Sequence, residues 1–314
     1  MTSDQNRVPQ VRAPHEWVHV RGVEVSSLRP GIAIDALLAD LIDYAGLYPP
    51  AGLDMRTAVR NYLQYKAGPH QSFLGRFVVN LDRIGELRAA AAESFTEIPL
   101  SVIVASSTDF GALAESLGDA FDRVSFECKV AEPADIERIA AQLPAHSECY
   151  FEIPMGSNSE PLLDALVIHG ARPKLRMGGV TSEAFPPVGT IAEMLQALAH
   201  RHLAFKCTAG LHHPIRSQNP LTYEPDSTEA VMHGFLNLLF AATLLHFGGS
   251  TLEAQHILNE ADRHAWQVTP EEIRCRAVLW SGDQLRAVRQ HFFISFGSCS
   301  FEEPVRGLEA LGWL

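Results

Sequence analysis

A chain of 314 residues, 46% of them apolar and with a mean hydropathy near zero, is long enough to bury a substantial core in one large or two small α/β domains. A formal net charge of −12 and a pI near 5.6 argue against nucleic acid as a partner, because phosphate recognition needs a basic face. No apolar run reaches the ~18 residues of a membrane span, so no membrane partner is expected. The five scattered cysteines read as reduced thiols of a cytoplasmic protein.

Residues 1–30 lack an apolar signal core and are expected to form a flexible lead-in. Residues 31–72 carry two helical patterns, "IDALLADLIDYAG" and "LDMRTAVRNYLQYKAG", joined by "LYPPAG". They read as a helical extension or lid at one end of the fold. From residue 73 to 314 short apolar runs alternate with amphipathic stretches of helical period. The runs are "FLGRFVVNL" (73–81), "IPLSVIVAS" (98–106), "RVSFECKVA" (123–131), "CYFEIPMG" (149–156), "RPKLRMGGV" (172–180) and "LAFKCTAG" (203–210). A late one follows, "HFFISFGS" (291–298). Intervening helices are expected at 81–95, 108–121, 132–143, 159–170 and 185–201. Parallel neighbours need helical crossovers, so the pattern predicts an α/β domain, a (β/α)₈-type TIM barrel, with a doubly wound open sheet as the other solution. The seventh unit breaks the rhythm. Residues 227–281 read as helices, including the apolar "AVMHGFLNLLFAATLLHFGG", and "RSQNPLTYEPDS" (216–227) reads as a linker. The barrel is therefore expected to be irregular there, with "LFAATLLHFGG" as a possible homo-oligomer contact.

Chemistry in parallel α/β folds collects at the carboxyl ends of strands, and charged residues recur there. Glu127 and Lys129 share one face of the third run, Glu152 lies in the fourth, Lys174 and Arg176 share a face of the fifth, and Lys206 and Thr208 one of the sixth. If those faces point inward, two carboxylates, four cations and a hydroxyl converge. Buried charges must then neutralise one another or hold a ligand. Past the strand ends lie Gly178, Gly179, His212 and His213, and after the last run Ser298, Ser300 and Glu302. Each also has a plain structural reading: a solvated strand edge, an ion pair, a loop imidazole, a helix-capping serine. His233 and His246, in an apolar helix, read as core histidines.

The pair "KLRMGG" and "FKCTAG", residues 172–210, resembles the two lysine strands of deoxyribose-phosphate-type class I aldolases. That resemblance implies a Schiff-base lysine, Lys174 with Lys206 as the perturbing cation or the reverse, with Glu127, Glu152 and His212 relaying protons. Lys129, Arg176, Gly178, Gly179, Thr208, His213, Ser298 and Ser300 are then candidates to hold an anionic carbonyl substrate. Arg176 departs from the aldolase pattern, which has a small polar residue there, and so puts the covalent lysine in question. Two alternatives stay open. One is a lyase or isomerase with a divalent metal on Glu127, Glu152, His212 and His213; the other is a barrel that captures an anionic metabolite without turning it over. The segments "DYAGLYPPAGLDM", "KLRMGGVTSEAFP", "FKCTAGLHHPIR" and "FGSCSFEEPVRGLEALG" also resemble a bacterial family of hypothetical proteins that implies no reaction.

Overall fold

The computed structural model describes residues 33–117, 124–143, 147–156, 158–269 and 272–314, so the expected lead-in lies outside the described residues. Eight parallel strands close into a barrel. In chain order they are β1 (Ile42–Tyr44), β2 (Leu74–Asn80), β3 (Leu100–Val104), β4 (Val124–Lys129), β5 (Glu148–Glu152), β6 (Arg172–Arg176), β7 (Phe205–Thr208) and β8 (Phe293–Ser298). The ring closes where β1 pairs with both β2 and β8. Helices α2 (Met55–Lys66), α3 (Ile84–Ala91), α4 (Phe110–Leu117), α5 (Pro133–Ala140), α6 (Glu160–Ile168) and α7 (Val188–Arg201) follow the first six strands in turn. This is the (β/α)₈ TIM-type architecture.

The missing eighth strand sits at the start of the chain. Residues 31–72 are not a separate helical extension. Helix α1 (Ala33–Leu38) stops before Asp40, whose φ of +49° turns the chain, and Ile42-Asp43-Tyr44 enters the barrel as β1. All three residues of this strand are buried, and three residues are too few for their apolar–polar–apolar pattern to be told from a turn of helix. The seventh unit is also settled. Between β7 and β8 the chain makes an antiparallel hairpin (Ser217–Pro220 with Glu229–Met232), helices α8 (Phe235–His246) and α9 (Thr251–Asn259), a three-stranded antiparallel sheet (266–281), and α10 (Gly282–His291). The expected linker supplies one arm and the turn of the hairpin. Helix α8 is apolar on every side because it is buried among α7, α9 and α10. It is a core helix of this chain, which overturns the expectation that it faces a second copy.

Alternation along the strands divides the barrel into two environments. One set of positions, including Phe77, Val102, Phe126, Phe151, Leu175, Cys207 and Phe296, packs outward against the helices and is fully or almost fully buried. Each such side chain contributes roughly 1.5–3 kcal/mol relative to exposure. The alternate set points to the barrel axis and is mostly polar: Asp43, Ser101, Ser125, Glu127, Tyr150, Lys174, Lys206 and Ser295. Barrels of this type are ordinarily filled by branched apolar side chains. Here the apolar core is the strand–helix layer, and the interior is a network of charges.

Candidate active site

The interior charges form one continuous chain across the barrel. Lys206 Nζ lies 2.6 Å from Asp43 Oδ2 and 2.6 Å from Glu127 Oε1. Lys174 Nζ takes the other oxygen of Glu127 at 2.7 Å and reaches Glu152 Oε2 at 2.8 Å. Arg176 Nε closes the series on Glu152 Oε1 at 3.1 Å. The register explains this convergence, since Glu152 is paired with Lys174 and Lys174 with Lys206 on neighbouring strands. Hydroxyls complete the network: Ser101 donates to Glu127 at 2.6 Å, Ser125 to Ser101 at 2.9 Å, and Ser295 to Asp43 at 2.8 Å. The Arg76 amide donates to the remaining oxygen of Asp43 at 2.8 Å. Charges this deeply buried persist only when every partner is supplied.

Burial and the neighbouring charges act against each other within this network. Burial alone would drive Lys206 toward the neutral amine, but Asp43 and Glu127 outweigh it and hold the ammonium well above the usual lysine range. Burial likewise pushes Glu127 up, while Lys174 and Lys206 pull it far below the usual carboxylate range. Glu152 is lowered in the same way by Lys174 and Arg176 against the opposing effect of burial. A nucleophilic lysine must shed its proton. Lys206 is held as a cation beneath the cavity floor, between Asp43 and Glu127.

Above this floor a cavity of about 650 Å³ opens at the carboxyl ends of the strands, within the range of small-molecule sites. Glu127, Lys129, Glu152, Lys174, Arg176 and Thr208 line it, as expected from the sequence, and so do Gly178, Gly179, His212 and His213. Lys129 is exposed at the rim and makes no ion pair among the described residues, while Arg176 is half exposed. Gly210 turns the chain with φ +70°. A Cβ there would meet Gly178 Cα at 2.8 Å, so the loops after β6 and β7 pack backbone to backbone. Both glycines are therefore explained by close approach as much as by ligand contact.

His212 approaches the cavity from the loop after β7, and its Nδ1 lies 2.8 Å from Glu303 Oε2 on helix α11 (Glu302–Leu311). Burial would raise the Glu303 carboxyl, but the His212 hydrogen bond and charge hold it below the usual range. Burial, with the neighbouring His212 adding to it, lowers His213, which favours the neutral ring. The hairpin contributes Leu221, Tyr223 and Met232 to the wall. Tyr223 Oη lies 3.8 Å from Cys299 Sγ, and burial pushes that thiol up to about 11.

Several expected residues lie elsewhere. Ser298 and Ser300 do not line the cavity. Ser298 Oγ accepts from the Ser300 amide at 3.4 Å, and Ser300 Oγ from the Glu303 amide at 3.1 Å, so the pair shapes the entry to α11. Of the residues named for a divalent ion, Glu127 and Glu152 pair with cations and His212 with Glu303. Among the described residues no group of three His, Cys, Asp or Glu side chains is placed to hold a metal. His233 is a buried structural group, with Nε2 2.9 Å from the Pro186 carbonyl and Nδ1 3.1 Å from Arg216. Asp43 and Glu303 were not anticipated. Asp43 lies in a segment read as helix, whereas the "FEEP" turn carried a signal for Glu303 because it follows a strand end. No protein-family model, curated protein or solved structure matches the chain.

Proposed function

We propose that the protein is a small-molecule enzyme acting on an anionic, carbonyl-bearing metabolite, with aldolase-type lyase chemistry at Lys174. The observation that carries this reading is the position of Lys174: its Nζ ends at the cavity floor between Glu127 and Glu152, with the fixed ammonium of Lys206 directly behind on the same Glu127. Glu127 is shared between the two lysines, one oxygen to each. Glu152, at the cavity wall, is placed to accept that proton when substrate arrives. The free amine then attacks the carbonyl carbon, and loss of water from the carbinolamine leaves an iminium ion. In the cleavage direction His212, backed by Glu303, removes the proton of a β-hydroxyl. The adjacent C–C bond breaks, its electron pair moves to the iminium as an enamine, and protonation and hydrolysis return the amine.

Borohydride reduction in the presence of a pool of aldehydes and 2-oxo acids tests this reading. The expected result is a mass increase confined to the peptide containing Lys174, absent in Lys174→Met. A second reading is favoured by the two short ion pairs of Lys174 at 2.7 and 2.8 Å. In it the ammonium is retained and polarises the substrate oxygen, and His212 with Glu303 transfers a proton without a covalent intermediate. Turnover of a substrate that leaves no reducible adduct would select this second reading.

A further inference from the structure

The wall of the cavity has two unlike arcs. Going around the ring, β4, β5 and β6 contribute Glu127, Lys129, Glu152, Lys174 and Arg176. The arc of β1, β2 and β3 contributes Ala45, Val78, Asn80 and Ile103, extended by Pro49 and Pro50 of the following loop. Strands four places apart in a closed ring of eight face each other, so β2 with Val78 stands opposite β6 with Lys174 and Arg176. On the arc of β1, β2 and β3 the Asn80 oxygen is engaged, Tyr48 Oη donating to Asn80 Oδ1 at 2.9 Å, and the other lining side chains are apolar. That side offers little to the hydroxyls of a sugar, whose desolvation there would go uncompensated.

Charge counting limits the head group. On the cavity wall Lys174 and Arg176 are paired with Glu127 and Glu152, and Glu303 with His212, so these acids are already engaged. Lys129 is the cation of this wall without an acidic partner among the described residues. One negative charge is matched; a phosphate monoester, at −1.5 to −2 near neutral pH, is not.

Building on the assignment of Lys174 as the reacting amine, we infer that the substrate is an amphipathic monoanion. Its carboxylate lies between Lys129 and Arg176, its carbonyl is over Lys174, and an apolar chain or ring rests against Val78, Ile103 and the Pro49–Pro50 turn. The preferred class is therefore a 2-oxo or aldehyde monocarboxylate with an apolar body, and sugar phosphates are disfavoured.

Equilibrium binding of unbranched 2-oxo monocarboxylates from three to eight carbons, with deoxyribose 5-phosphate in parallel, tests the inference on the full chain. Affinity is expected to rise about fourfold per added methylene over the first few, the fold-change equivalent of ~0.8 kcal/mol per buried CH₂. Ile103→Asn is expected to flatten the ladder, and the sugar phosphate to bind more weakly than the six-carbon acid. A flat ladder in the wild-type protein, or tighter binding of the sugar phosphate, overturns the inference and leaves Lys174 chemistry untouched. A steep ladder without a borohydride adduct on Lys174 upholds the amphipathic substrate and removes the imine. No binding by any member of the series overturns the inference as well.

Discussion

Replacing Lys206 by methionine removes the cation that lies 2.6 Å from both Asp43 and Glu127. All three side chains are at most 3% exposed, so water does not reach the charges left behind. Among the described residues Asp43 would retain hydrogen bonds from the Ser295 hydroxyl and the Arg76 amide, while Glu127 would keep Lys174 and Ser101. Breaking a buried pair by deleting one partner typically costs about 3–5 kcal/mol, against a total stability of roughly 5–15 kcal/mol. Equilibrium urea unfolding followed by circular dichroism measures the difference. The double variant Lys206→Met, Asp43→Asn removes one orphaned charge and should recover about 0.5–3 kcal/mol of the loss, the range of coupling between contacting residues. The pH dependence has a defined sign. Glu127 is depressed in the folded state, so its contribution is present above the unfolded value near ~4.3 and is lost as pH falls. Lys206 is raised in the folded state, so its contribution is present below the unfolded value near ~10.4 and is lost as pH climbs past it. The wild-type advantage over Lys206→Met should therefore span neutral pH and shrink below about pH 4. A deficit under about 1 kcal/mol at pH 7, or one that stays constant down to pH 3, would refute the view of Lys206 as a fixed counter-ion.

Glu303→Gln and His212→Asn should each lower turnover about 10²- to 10⁴-fold while leaving the urea midpoint near wild type, measured on any substrate that the trapping screen yields. Gly210→Ala adds a Cβ at φ +70° and 2.8 Å from Gly178 Cα, backbone that cannot swing aside; unfolding free energy should fall by roughly 1–3 kcal/mol. The Cys299 thiol, pushed up to about 11, should resist iodoacetamide at pH 7.5 and gain reactivity steadily toward pH 11, read by peptide mass. Rapid alkylation at neutral pH would show that the thiol is not buried in the way described.

The alternation in "FECKV", "KLRMG" and "FKCTAG" made seven of the eight strands and the charged arc of the cavity wall legible, because inward and outward positions of a parallel strand differ in polarity and a period of two survives in one dimension. What was written along the chain was therefore the barrel and the list of charges available to it. Three things depended on the closed fold. Asp43 entered the network only when β1, buried on every side and three residues long, slotted between β2 and β8. The different surroundings of Lys174 and Lys206 are not recorded by sequence position: one amine borders the cavity and the other is buried between two acids. The His212–Glu303 pair joins residues 91 apart, and Ser298 and Ser300, expected to hold a ligand, shape the entry to a helix instead. Local pattern encodes which way a side chain points from its own strand; which charge it meets is set by ring closure.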